Sequence, residues 1–264
     1  GTVAIPLIIV CILSVLILIK LLIKKVPISS KMSYLIAIGT SVCGATAIVA
    51  TAPIIEAKKT EVAYAIANIT LFGVVAMLVY PYFAEWYFYD EPIKAGLFLG
   101  TAIHETSQVA AAGLIYDQQF NSPETLNVAT VTKLIRNTFL VIMVPLFGFL
   151  YNRGKVRDKN YSIFGIFPYF VLGFIGMIIF RNIGDQIFII ENANYDIWKI
   201  FINYIKSLAT VFLTMAMAAV GISINLNELK SMGYKPFIVG LIAAITVGLV
   251  SIITMELFDN YFIS

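Results

Sequence analysis

The chain is poor in charge. Only 12% of its 264 residues are Asp, Glu, Lys or Arg, about half the share of a typical soluble domain. A soluble chain with 60% hydrophobic residues could not cover its own surface, whereas a bilayer solvates apolar side chains directly. The net charge of +3 is small and spread over loops, which leaves no support for nucleic-acid binding. Histidine occurs once and cysteine twice. Cys11 and Cys43 both lie in apolar stretches, without the spacing of a metal site or a disulfide framework. A Walker-type glycine loop, a G-x-S-x-G elbow and a carboxylate pair arranged for hydrolysis are also missing. The chain is therefore expected not to be an enzyme and to need no cofactor. It opens Gly1-Thr2-Val3-Ala4, with no basic n-region and no small-residue cleavage site. A signal peptide is not the natural reading, and the true N-terminus is expected upstream.

Long apolar runs dominate what is present. A membrane helix needs roughly 20 mostly apolar residues, and 2–19, 62–83, 132–151, 163–180, 201–224 and 236–257 qualify. The predicted fold is all-α: a polytopic membrane protein forming a single transmembrane domain over 1–264. Two further apolar stretches, 34–55 and 95–115, are interrupted by small and polar residues. One holds Gly39-Thr40-Ser41-Val42-Cys43-Gly44-Ala45-Thr46 and the other Gly100-Thr101-Ala102-Ile103-His104-Glu105-Thr106-Ser107-Gln108. Laying Gly39 on Gly100, an offset of 61 residues, aligns Thr40 with Thr101, Val42 with Ile103, Thr46 with Ser107, Ile48 with Val109 and Ala50 with Ala111. Interrupted helices in matching positions of an internal repeat point to a transporter binding site.

Loop charges predict the orientation. Lys20, Lys24, Lys25 and Lys31 flank one loop and Arg153, Lys155, Arg157 and Lys159 another; both are expected to be cytoplasmic. The segment 185–196 and the tail with Glu256 and Asp259 are acid-rich and expected to be external. An even number of crossings separates the two basic loops, so the broken stretches either both span or are both re-entrant. The Lys/Arg balance barely distinguishes these topologies. Re-entrance makes the two units inverted copies, which suits alternating access, and is slightly favoured for that reason.

Irregular backbone at membrane depth must be buried in protein or line a wet cavity. The breaks at Ser41, Cys43 and Gly44, and at Thr101, therefore mark a cavity or a tight crossing through small residues. A helix that restarts after a break presents unpaired N–H groups and the positive end of its dipole, which suits an anion. Thr46 and Ser107 are expected at those restarts, with Gln108 beside the second. His104 and Glu105 are ionisable groups in an apolar stretch, and such groups usually face a pathway or a partner. Zinc-protease chemistry fails because no second histidine follows at i+4. A titrating His104 or Glu105 would couple protons to transport; the bland alternative is Glu105 as a helix cap. Lys133 and Arg136, three residues apart, share a helix face. They suit the cationic wall of an anion site, a pair for Glu105, or mere snorkelling to the interface. Asn68 and Thr70 lie mid-helix and face the same cavity or bridge helices. Trp86-Tyr87-Phe88-Tyr89 reads as an interfacial aromatic belt.

Several of these segments resemble one family. Ser41-Val42-Cys43-Gly44-Ala45-Thr46-Ala47-Ile48 with Thr51-Ala52-Pro53 is similar to the YeiH-type bacterial membrane proteins, often labelled sulfate exporters. So are Ala63-Tyr64-Ala65-Ile66-Ala67 with Leu71-Phe72-Gly73, Tyr80-Pro81, and the run from Gly100 to Gly113 followed by Lys133-Leu134-Ile135-Arg136. Ala216-Met217-Ala218-Ala219-Val220-Gly221-Ile222 and Lys235-Pro236 continue the match to the C-terminal part. The resemblance implies a multi-pass protein of the bacterial inner membrane, with about three more helices before residue 2. It also implies distant kinship to bile-acid/sodium symporters and sodium/proton antiporters. Members of that group have inverted repeats and discontinuous helices meeting at mid-membrane, usually as full spans.

The leading expectation is a secondary transporter of a small anion of the sulfate, sulfite or organosulfonate class, coupled to protons or sodium. Its substrate residues would be Ser41, Cys43, Gly44, Thr46, Thr101, His104, Glu105, Ser107, Gln108, Lys133 and Arg136. An anion channel using the breaks as a fixed filter is the alternative. The expected partners are the anion and the lipid bilayer, with a homodimer as one candidate assembly. On this reading Glu105→Gln and Arg136→Ala abolish counterflow without unfolding the protein.

Overall fold

A computed structural model describes residues 4–22, 25–152, 170–190, 195–222, 230 and 233–258. Among these residues the chain is helical: α1 (Ala4–Leu22), α2 (Ser30–Ser41), α3 (Ala45–Thr51), α4 (Lys59–Tyr87), α5 (Pro92–Ala102), α6 (Thr106–Phe120), α7 (Pro123–Thr138), α8 (Leu140–Asn152), α9 (Phe170–Ile190), α10 (Tyr195–Ile222) and α11 (Lys235–Leu257). The expected all-α polytopic fold is found. Helices α1, α4 and α11 are long and apolar enough to cross a membrane, and α7 with α8, bent by 41°, is long and apolar enough as a pair. The single helix expected over 132–151 thus begins earlier, at Pro123, and breaks at Phe139. The expected span 163–180 starts outside the described residues, as does the basic loop 153–159. Asp185, expected in an external loop, lies inside α9, where it accepts hydrogen bonds from Trp198 Nε1 (2.7 Å) and Arg181 Nε (2.9 Å).

Local chemistry fixes the helix ends. Ser29 caps α2, its hydroxyl accepting from Met32 N–H at 3.1 Å. Pro92 and Pro123 stand in the first turns of α5 and α7, where a missing N–H costs nothing. Asn121, in the left-handed region at φ 53°, closes α6.

The broken stretches are hairpins. At the mouth of the first, Ser29 donates to Glu61 Oε1 (2.5 Å) and Lys31 Nζ to the Glu56 carbonyl, so the start of α2 lies against the chain that leaves α3. At the mouth of the second, Thr125 donates to the Pro92 carbonyl (3.1 Å) and Tyr116 to Glu85 (2.6 Å). A full span of some 20 residues would separate those groups by roughly 30 Å, so both stretches return to the end they entered from. Helix α4 runs between the two mouths. Its 29 residues measure about 43 Å, enough to exceed the roughly 30 Å hydrocarbon core. The hairpins therefore enter from opposite ends and meet tip to tip. The expectation of re-entrance holds, and the full spans implied by the resemblance do not apply to these two stretches.

The 61-residue offset is structural. The break between Ser41 and Ala45 is matched at both edges by the break between Ala102 and Thr106. Gly39 packs so closely on Ile69 of α4 that a Cβ would fall 2.2 Å from its side chain. Its repeat partner Gly100 packs the same way on α7, where a Cβ would fall 2.7 Å from the Ala129 carbonyl. One end of the bundle carries exposed Lys20, Lys25, Lys58, Lys59 and Lys235, and the other carries Asp90, Glu91, Asp117 and Glu124. The basic end is the one that the positive-inside rule assigns to the cytoplasmic side. Trp86, Tyr87 and Tyr89 are exposed at the acidic end of α4, as an interfacial belt requires, whereas Phe88, expected among them, is buried and packs on Phe98 with ring centroids 5.9 Å apart.

Candidate functional site

The tips touch at mid-depth. Ile69, against hairpin 1, and Gly73, against Gln108 of hairpin 2, both lie near the middle of α4. Each first arm ends at its tip with orphan carbonyls and the negative end of a dipole. Helix α7 crosses both and supplies the donors. Arg136 Nε donates to the Ser41 carbonyl at 3.0 Å, and its two terminal nitrogens donate to the Thr40 and Thr101 carbonyls. Lys133 Nζ donates to the carbonyls of Val42 (3.1 Å), Ile103 (3.0 Å) and His104. Both cations are fully buried. The expected cationic wall is thus turned inward: these donors staple the two tips together and neutralise the ends of α2 and α5. Snorkelling and pairing with Glu105 are not the geometry found.

The second arms start on the other side of each break. Glu105 reaches across to hairpin 1, where its Oε1 accepts from Ala45 N–H, the first amide of α3, at 3.0 Å. It is a helix cap, as in the bland expectation, but of the opposite hairpin. Gly44 makes room for it. Its φ of 65° suits glycine, and a Cβ there would come within 2.9 Å of the Glu105 side chain. In the 61-residue repeat Gly44 is the counterpart of Glu105. The reciprocal cap is missing because Gly44 has no side chain to offer, and the N-cap residue of α6, Glu105 itself, makes no side-chain cap bond to its own helix. Thr46 and Ser107, the matched hydroxyls, are both exposed beside these two helix starts.

The other expected residues surround the crossing. Thr101 is buried, with its hydroxyl 2.7 Å from Ser251 on α11. Gln108 is buried and its Nε2 donates to the Thr70 carbonyl at 3.2 Å. Cys43 is buried in the first tip. Asn68 instead bonds the Pro236 carbonyl (2.9 Å) at the start of α11, away from the tips. Asn137, next to Arg136, was not among the expected site residues. It donates to Thr106 Oγ1 at 3.0 Å, and its place one residue beyond the cation was the signal for it. Thr40 Oγ1, Ser41 Oγ, Thr70 Oγ1, His104 Nδ1, Gln108 Oε1 and Asn137 Oδ1 are buried with no partner among the described residues. So many unsatisfied atoms are unusual in a packed interior, and they suit a wet or liganded site.

Fold and tips together define a multi-pass membrane protein built on an inverted pair of re-entrant hairpins. A family model described as "Conserved hypothetical protein 698" matches residues 1–240. A UPF0324 membrane protein of Fusobacterium nucleatum is 35% identical over 258 residues, covering 96% of this chain and 74% of the relative. Relatives of the same description from Streptococcus agalactiae and Streptococcus pneumoniae are 33% and 32% identical, with 97% and 94% of this chain and 73% and 70% of the relative covered. The chain belongs to the UPF0324 family of membrane proteins, commonly called YeiH-like. No solved structure matches it.

Proposed function

We propose that this protein is a secondary transporter of a small anion of the sulfate, sulfite or organosulfonate class, coupled to protons or sodium, and not an enzyme. The observation that carries the reading is the start of α6 at mid-depth, whose N-cap residue Glu105 turns its side chain to the other hairpin, beside the exposed Ser107. Polar backbone there cannot face lipid, and helix starts favour anions. Glu105 on Ala45 N–H illustrates, within the chain, what such a start binds; the transported anion takes the corresponding place on α6. Inverted repeats give alternating access a simple basis, each hairpin mouth facing one side.

The test is counterflow in proteoliposomes with labelled sulfate, sulfite and an organosulfonate, under imposed pH and sodium gradients. Saturable, trans-stimulated exchange is expected. Ser107→Ala should raise the half-saturation concentration about tenfold, the scale of one lost hydrogen bond to a charged group. Absence of counterflow for all three anions refutes the substrate class, and conductance without counterflow favours a channel.

A further inference from the structure

Between α1, α2 and α8, at the basic end, lies a cavity of about 390 Å³. Leu16, Tyr34, Ala37, Phe147 and Leu150 form its walls and Lys20 its rim. It is lined by none of the residues of the proposed transport site. Its depth matches the boundary between headgroups and acyl chains. Lys20 stands in the last turn of α1, and Leu16 lies one turn, about 5–6 Å, further in. From there the exposed side chains of Ile17 and Leu13 continue an apolar strip along α1 towards the membrane centre.

The charge at this end is nearly all of one sign. Lys20, Lys25, Lys58 and Lys59 are exposed, with Lys31 half-exposed near the same rim. Of the acidic groups described here, Glu61 is buried and accepts from Ser29 and from Lys58 N–H, leaving Glu56 exposed. The inner wall is well packed. Tyr34 meets Phe147 and Tyr151 edge-on, with ring centroids 5.8 and 5.7 Å apart. Apolar walls opening under a lysine rim complement a molecule with a hydrocarbon tail and an anionic head.

We infer that this cavity binds one anionic phospholipid of the cytoplasmic leaflet, an acyl chain against Leu16, Ala37 and Phe147 and the phosphate at Lys20. Tyr34 and Ala37 belong to α2, the first arm of hairpin 1, so the bound lipid wedges that arm between α1 and α8. The inference does not depend on the identity of the transported substrate.

The chain is reconstituted in nanodiscs of phosphatidylcholine with and without phosphatidylglycerol, and retained lipid is counted by native mass spectrometry. One phosphatidylglycerol per chain is expected, preferred about tenfold over phosphatidylcholine. Lys20→Gln should reduce that preference to near unity, and Ala37→Trp should expel the lipid by filling the cavity. Leu150→Trp fills it from the opposite wall, in case Ala37→Trp does not fold; folding is read from protection of the buried Cys11 and Cys43 against thiol reagents. Equal retention of both lipids overturns the inference. So does phosphatidylglycerol retention that survives Lys20→Gln and a folded tryptophan variant, or a cross-linker at Ala37→Cys that captures another part of the chain in place of lipid.

Discussion

Arg136 is the sharpest point at which to test the stapled tips. Replacing it with Met keeps most of the side-chain volume and removes three donors, leaving the Thr40, Ser41 and Thr101 carbonyls without their partner. Each buried group stripped of its partner costs about 1–3 kcal/mol. Part of that is recovered because a fully desolvated cation no longer has to be accommodated. The net loss expected for breaking a buried charged network is about 3–5 kcal/mol, which for a chain of this size lowers Tm by roughly 10 °C. Cys11 and Cys43 are both buried and unpaired, so a thiol-reactive fluorophore reports the melt directly in detergent. Arg136→Lys retains a charge but not the planar fork, and should fall between parent and Met. If Arg136→Met melts within a degree or two of the parent while anion exchange disappears, the guanidinium is a substrate ligand and the staple reading is wrong. For Arg136→Ala the same geometry adds an expected loss of stability to the expected loss of counterflow.

Three further outcomes follow from the structure. Gly44→Val should destabilise by about 1–3 kcal/mol, because residue 44 sits at positive φ and its side chain would collide with Glu105; thermal melts of Gly44→Val and Gly44→Ala measure it, and a parent-like Tm for both refutes the cross-cap. Single cysteines at Lys31 and Glu56 should label from the basic side, and those at Asp90 and Asn121 from the acidic side; labelling of 31 and 56 from opposite sides of oriented vesicles would mean that hairpin 1 spans. Ser29→Ala removes both the α2 cap and the bond to Glu61 and should cost about 1–2 kcal/mol, visible as a lower denaturation midpoint, whereas Ser30→Ala, next door, should be neutral.

Much of the architecture was legible in the sequence because membrane spans are long and apolar and because the two breaks repeat. Gly39 and Gly100 gave the register, which the structure reproduces to the residue at the edges of both breaks. The direction of each break was not legible. It depends on contacts at the mouths, such as Ser29 with Glu61 and Thr125 with Pro92, which join residues about 30 apart and leave no periodic trace. The cations were found as residues but not as partners. Lys133 and Arg136 read naturally as binding groups for an external anion, since backbone carbonyls at helix ends carry no side-chain signature. For Glu105 the cap was the alternative to a titrating role, and its target on the other hairpin depends on Gly44 lacking a side chain.

The position of the staple has a mechanical consequence. Helix α7 holds both tips through Lys133 and Arg136, whereas the corresponding places on α4 are Phe72 and Val75, which offer no donors. The two hairpins are therefore fastened to one shaft, not each to its own. In the proposed transport cycle, a displacement that opens one mouth would carry the opposite tip with it, so access from the two sides would be exchanged by a single body in motion and not by two gates that must be timed against each other.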